Sequence, residues 1–346
     1  MPDSSLPPSR KQFPPAPEDW WASPLAAPPR TGESAPALPI DPGALWLSLG
    51  LFLISLFTCV TLGGGFLLAA RTDVVTDLVP LLLPETIRRV WTDPELLRWG
   101  FAFALPVLAI LLVHELGHYL LCRRYRIAST PPYFLPAPIG LGTFGAFIRI
   151  RGAIRDKRVL FDVGVAGPIA GFVALLPFLV YGIAHSEPTA VVRVPEETAA
   201  MFLYLPGKGL LYSALAWYFH GPLPEHVLLN PHPFALAAWV GCFATMLNLL
   251  PLAQLDGGHL LYAVVGRRQA RLAPALWLLL LAGGLLWPGW FLWALIVLVM
   301  GLRHPPVLDE GEPLDRRRRW LAVAALAIFV LCFMPVPIST IAIGLP

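Results

Sequence analysis

The chain has 346 residues, of which 56% are hydrophobic and only 14% charged, and its mean hydropathy is +0.66. A soluble domain of this length carries far more charge, so the composition specifies a protein that passes the membrane several times. The net charge of +3 includes no basic run interleaved with aromatics, which argues against nucleic acid as a partner.

Residues 1–43 are rich in Pro, Ser and Ala and cannot bury a core, which predicts a disordered tail. No apolar run follows Arg10 and Lys11, so the segment is not read as a secretory signal. Residues 44–98 supply a first spanning helix, Ala44 to Ala70, and then an external mixed-charge segment in which Leu78 to Val90 is expected along the interface. A second span runs from Trp99 to Leu121 and is interrupted by His114-Glu115-Leu116-Gly117-His118. Ionisable groups at membrane depth are costly and signal function. Two histidines four residues apart lie one helical turn apart on one face, the spacing used to hold zinc.

From Cys122 to Phe161, Arg123, Arg124, Arg126, Arg149, Arg151, Arg155, Lys157 and Arg158 stand against the single acid Asp156. By the positive-inside rule this loop is cytoplasmic. Within it, Thr143 to Arg151 alternates with period two and predicts a β-hairpin beside the membrane. Val163 to Ile183 is a third span, with Gly164, Gly167 and Gly171 permitting close helix contact. Ala184 to Pro233 is expected outside, too short for an inserted domain of ordinary size, with Gly209 to Phe219 interfacial or re-entrant.

Phe234 to Leu250 returns inward and ends at Asn248, Pro251 and Asp256-Gly257-Gly258-His259, where proline and glycine should break the helix. Beyond Arg267, Arg268 and Arg271, a broken pair of apolar stretches around Gly283-Gly284 and Pro288-Gly289 precedes a last span, Trp320 to about Ile341. The expected architecture is an all-α polytopic membrane protein of about six to seven transmembrane helices with a small membrane-associated β-hairpin. Its parts are a tail (1–43), a first helix and external segment (44–98), a catalytic membrane core (99–266) and C-terminal helices (267–346). The N terminus is expected on the cytoplasmic side and the C terminus outside. The four cysteines lie in or at the ends of apolar runs and read as small hydrophobic fillers.

This orientation brings His118 and Asp256 to one depth near the cytoplasmic face. Catalytic zinc takes three protein ligands and leaves a position for water. Asp256 is the natural third ligand beside His114 and His118. His259 competes for that role, and an Asp-Gly turn is the plain alternative for Asp256. Glu115 fits a general base that takes a proton from water and passes it to a leaving amine. The strand Thr143 to Ile150, which holds Thr143, Phe144 and Gly145, offers an edge to an unwound substrate. Asn248 either holds substrate backbone or makes a polar contact between helices. Use of the same His/His/Asp site by a metal-ion transporter or sensor is the competing function, and it gives Glu115 no required part.

The run Val113 to His118 in a spanning helix, Gly164-Val165-Ala166-Gly167-Pro168, and Leu247 to Pro251 leading to Leu255-Asp256-Gly257-Gly258 together resemble the site-2 protease family of intramembrane zinc metalloproteases. The resemblance implies one Zn2+ per chain at His114, His118 and Asp256, Glu115 as catalytic base, Asn248 as a substrate binder and a membrane-embedded β element after the first motif. It implies transmembrane protein substrates in a lipid bilayer, regulated intramembrane proteolysis, and an upstream protease that makes a first cut. The expected location is a bacterial cell membrane with the active site near the cytoplasmic face. No room is left for a PDZ-type domain, so the chain is closer to the PDZ-less branch, which includes plastid relatives.

Overall fold

The structure is a computed structural model, and it describes residues 41–71, 82–152, 154, 156–190, 201–224, 226–305, 307, 309–310 and 313–343. The predicted disordered tail lies almost wholly outside these residues. Helix α1 (Pro42–Arg71) is followed by a short α2 (Pro84–Thr92) and by α3 (Pro94–Arg124). Asp93 starts α3 by accepting hydrogen bonds from the amides of Glu95 and Leu96, with Pro94 in the first helical position, where no amide donor is needed. Strands β1 (Tyr133–Pro136) and β2 (Thr143–Phe147) form the expected antiparallel hairpin.

Helix α4 (Lys157–Ala184) is capped in the same way by Asp156, which accepts from Arg158 and Val159. After it come β3 (Glu187–Ala190), β4 (Met201–Pro206), α5 (Leu210–His220) and β5 (Val227–Asn230). Helices α6 (Pro233–Asn248), α7 (Asp256–Val265), α8 (Gln269–Gly283), α9 (Gly289–Met300) and α10 (Arg316–Cys332) and strand β6 (Ile338–Ile343) complete the chain. Strand β3 pairs with β5, and β4 with β6, each antiparallel.

The protein is thus mostly helical. Among the described residues, three helices are long and apolar enough to cross a membrane: Pro42–Ala69, Pro94–Arg124 and Lys157–Ala184. The others are shorter than the expected six to seven spans require; α6 has 16 residues and α9 has 12. The last span expected from sequence ends early. Pro335 and Pro337 follow the end of α10, and proline cannot extend a helix, so Ile338 to Ile343 instead becomes a strand on β4. The break expected at Pro251 and the two glycines is present from Leu249 to Leu255, around Pro251, while both glycines fall in the first turn of α7. A side chain there would collide with the incoming chain, since a Cβ on Gly257 would stand 2.1 Å from the Leu249 carbonyl oxygen. All four cysteines are buried free thiols.

Helices α3 and α4 pack antiparallel, with α1 and α6 on either side of α3. The hairpin is pinned to α1 at its turn. Gly142 takes φ +83°, open to glycine but strained for other residues, and sits where a Cβ would approach the Cys59 Cα to 2.5 Å. Thr58 Oγ1 donates to the Gly142 carbonyl at 2.6 Å.

At the other end of α4, the amide of Phe234 donates to Nδ1 of His232, capping α6 at 3.1 Å. Burial, and secondarily the neighbouring His185, hold His232 below the usual histidine range. The charged ring would lose its acceptor and set a cation against the helix N-terminus. Because the folded-state value is depressed, this cap stabilises above the ordinary histidine value of about 6.5 and is lost as the pH falls through the lower folded value. The thermal midpoint is therefore expected to fall between pH 7 and pH 5, and His232→Asn, which keeps an acceptor that does not titrate, should remove that part of the fall.

Candidate metal centre

The histidines of α3 face the first half of α4, and the three α4 glycines explain how they fit. A Cβ on Gly167 would lie 2.1 Å from His118 Nε2, one on Gly171 3.0 Å from His114 Nδ1, and one on Gly164 3.1 Å from His259 Cβ. The bare face of α4 is therefore a seat for three imidazoles from two other helices. Gly117 of α3 answers it, since a Cβ there would be 2.6 Å from the Ala166 carbonyl oxygen. In the sequence these glycines present only a close helix contact, and the seat is not visible there. Their spacing beside a His-x-x-x-His pair is the signal that could have found it.

Nε2 of His114 and Nε2 of His118 are 3.2 Å apart. Asp256 Oδ2 is 3.2 Å from the first and 3.3 Å from the second. His118 Nδ1 lies 2.7 Å from the Val163 carbonyl oxygen, which can only accept, so Nδ1 carries the proton and the Nε2 lone pair points into the triangle. Converging lone pairs and a carboxylate oxygen repel one another unless a cation sits among them. Tetrahedral zinc with bonds of about 2.0–2.1 Å sets its ligand atoms about 3.4 Å apart, so the triangle fits that ion closely. Among the described residues these three form the only such group of His, Cys, Asp or Glu. His259, the competing third ligand, is not in it. Its Nδ1 is 2.7 Å from Nε2 of His304.

The triangle forms the floor of a cavity of about 200 Å³. Glu115 is buried in its wall, which Ile148 also lines. Asn248, at the end of α6, also lines it, with Nδ2 3.2 Å from His114 Nε2. On the hairpin side the wall is Ala146, Phe147, Ile148 and Ile150. Thr143, Phe144 and Gly145 stand farther along the same strand and do not line the cavity. Thr143 Oγ1 bonds to the Leu135 carbonyl and receives the Gly145 amide, Phe144 is 68% exposed, and Gly145 has φ +104°.

Long apolar helices, a buried donor triangle shaped for a divalent metal and an acid beside it define a membrane protein built around a metal centre. The chain belongs to peptidase family M50, whose model matches residues 102–276, in agreement with the site-2 protease resemblance of its motifs. It is 30% identical over 320 residues to the protein named "Probable zinc metalloprotease EGY1, chloroplastic" of Oryza sativa subsp. japonica, covering 85% of this chain and 51% of that one. Identity to the protein of the same name from Arabidopsis thaliana is 31% over 318 residues, covering 85% and 54%. Against "Probable zinc metalloprotease EGY2, chloroplastic" of Arabidopsis thaliana it is 29% over 283 residues, covering 80% and 49%. The chain thus spans about half the length of these relatives.

Proposed function

We propose that the protein is an intramembrane zinc metalloendopeptidase that hydrolyses peptide bonds within or near transmembrane segments of membrane-protein substrates. The observation that carries this reading is the donor triangle of His114, His118 and Asp256 with Glu115 in the same cavity. Zinc bound there supplies Lewis-acid polarisation of the scissile carbonyl and activates water. Glu115, one residue from a ligand yet outside the triangle, takes the proton of the attacking water and returns it to the leaving amine. Its burial excludes competing solvent contacts. Asn248 is the substrate-backbone binder, since its amide offers both a donor and an acceptor beside His114.

A helical substrate hides its peptide bonds in its own hydrogen bonds and must be drawn into an extended form. The hairpin serves this step by strand addition. Thr143, Phe144 and Gly145 guide the entering segment, and Ala146 to Ile148 deliver it to the cavity that they line.

We read the catalytic membrane core as residues 99–266, flanked by the tail 1–43, the first helix and external segment 44–98 and the C-terminal helices 267–346. The shorter helices α6, α8, α9 and α10 complete a bundle of six to seven spans. The basic residues between α3 and α4 and after α7 put the site near the cytoplasmic face, with the N terminus on that side. The membrane is a bacterial cell membrane or, as the relatives' names state for those proteins, a chloroplast one. A membrane protein already clipped by an upstream protease is the substrate class.

The test is a photocrosslinker at Ala146 in a Glu115→Gln background, in membranes containing single-span reporter proteins. Capture of a reporter through its transmembrane segment is expected, and the same probe at Val173, on an exposed face of α4, should capture none. Absence of capture at Ala146 would count against the reading.

A further inference from the structure

Beyond α9 the chain crosses the site side of the molecule before entering α10, and several anchors fix its path. Gln269, fully buried, uses both ends of its amide, donating to the Leu302 carbonyl at 3.2 Å and accepting the His304 amide at 3.2 Å. Glu310 accepts from the Tyr262 hydroxyl and pairs with Arg267 at 3.1 Å. Arg158 Nε donates to the Pro313 carbonyl at 3.1 Å. The Tyr262 ring stacks on His304 with centroids 4.4 Å apart. All this holds one side chain, His304, against α7.

The proton positions along this pair follow from a single carbonyl. His304 Nδ1 lies 2.5 Å from the Pro305 oxygen, which can only accept, so Nδ1 carries the proton and the lone pair of a neutral ring is on Nε2. That lone pair faces His259 Nδ1 at 2.7 Å, so His259 donates from Nδ1. The remaining polar atom of His259, Nε2, is then an acceptor. The ring belongs to the wall of the site cavity, three residues beyond Asp256 on α7, with its Cβ against Gly164. Its position in the cavity and its fixed tautomer have no use in metal binding, because His259 lies outside the donor triangle.

We propose that His259 is a substrate-binding residue, its Nε2 accepting a backbone N–H of the extended peptide in the cavity. His304 is the positioning residue that sets its ring and tautomer. The ligand class is a peptide main chain in the cavity that His259 and the hairpin both line. This inference rests on the peptidase reading for its occupant, but its geometric half stands without it.

The test has two arms on the full chain in detergent micelles. In the first, ring 15N shifts are read on protein labelled at histidine, assigned by comparison with His259→Gln. Wild type is expected to show His259 protonated at Nδ1 alone, and His304→Leu a mixture of tautomers. An unchanged tautomer in His304→Leu would overturn the positioning role. In the second, cleavage of a fluorophore-labelled single-span reporter protein is followed with zinc content measured in parallel. His259→Leu and His304→Leu should each raise KM about tenfold, as for loss of one backbone hydrogen bond, with kcat and zinc nearly unchanged. His259→Gln and His304→Gln, which retain an acceptor, should recover most of the loss. A fall in kcat or zinc with KM constant would overturn the binding role. If wild type releases no more fluorescence than Glu115→Gln, the peptidase reading itself fails and the substrate role falls with it, while the first arm still decides the His259–His304 coupling.

Discussion

Glu115→Gln should leave a protein that folds and holds zinc but has lost cleavage by a factor of about 10²–10⁴, the range for removing a positioned general base. The two states differ by one oxygen exchanged for an amide nitrogen, so the α3–α4 packing is undisturbed. Glu115 contributes no atom to the triangle of His114, His118 and Asp256, whose sides are 3.2–3.3 Å, so one zinc per chain is expected to remain. The neutral amide cannot take a proton from water. Cleavage rate and metal content measured on the same preparation check this. A transporter using the same ligands gives Glu115 no necessary part. Retained cleavage would remove Glu115 from the chemistry, and lost zinc would make it a structural prop of the metal site.

Gly167→Ala is expected to be as severe by a different route. A Cβ at this position falls 2.1 Å from His118 Nε2 and 2.5 Å from Cδ2 and Cε1, so the methyl would occupy the ring's own space. The ring cannot yield without giving up its bond to Val163, and α4 cannot retreat from α3 while Gly117 rests on the Ala166 carbonyl. The imidazole must therefore leave the triangle, taking zinc and cleavage with it. Gly171→Ala, with 3.0 Å to His114 Nδ1, should weaken zinc affinity without abolishing it. Val173→Ala, on the exposed side of the same helix, should change neither. Zinc stoichiometry across the three variants is the check, and full occupancy in Gly167→Ala would refute the glycine seat.

Much of this site can be read from the chain because its chemistry is local. His114, Glu115 and His118 lie within one helical turn, and Asp256 stands out as an acid at the end of an apolar run. The three long helices and the hairpin follow from hydropathy and from period-two alternation. What escapes such reading depends on registration between distant segments. The glycines of α4 show their purpose only when α3 and α7 are laid against them. His304 sits in a proline-rich connection with no local periodicity, and its link to His259 depends on the path anchored by Gln269. The last apolar run pairs as a strand because Met201 to Pro206 is there to receive it, which hydropathy cannot foresee. The edge expected along Thr143 to Ile150 meets the cavity at Ala146, Phe147, Ile148 and Ile150, a subset that alternation alone does not single out.

The seat on α4 has a consequence for how the protein is made. The two histidines and their glycine bed come first in the chain, but the third ligand arrives only with α7, after α4, strands β3 to β5 and α6. Until then the nascent chain carries half a coordination sphere and a glutamate with no metal to work beside. On the proposed peptidase reading, the chain is thereby kept inert until α7 has been made.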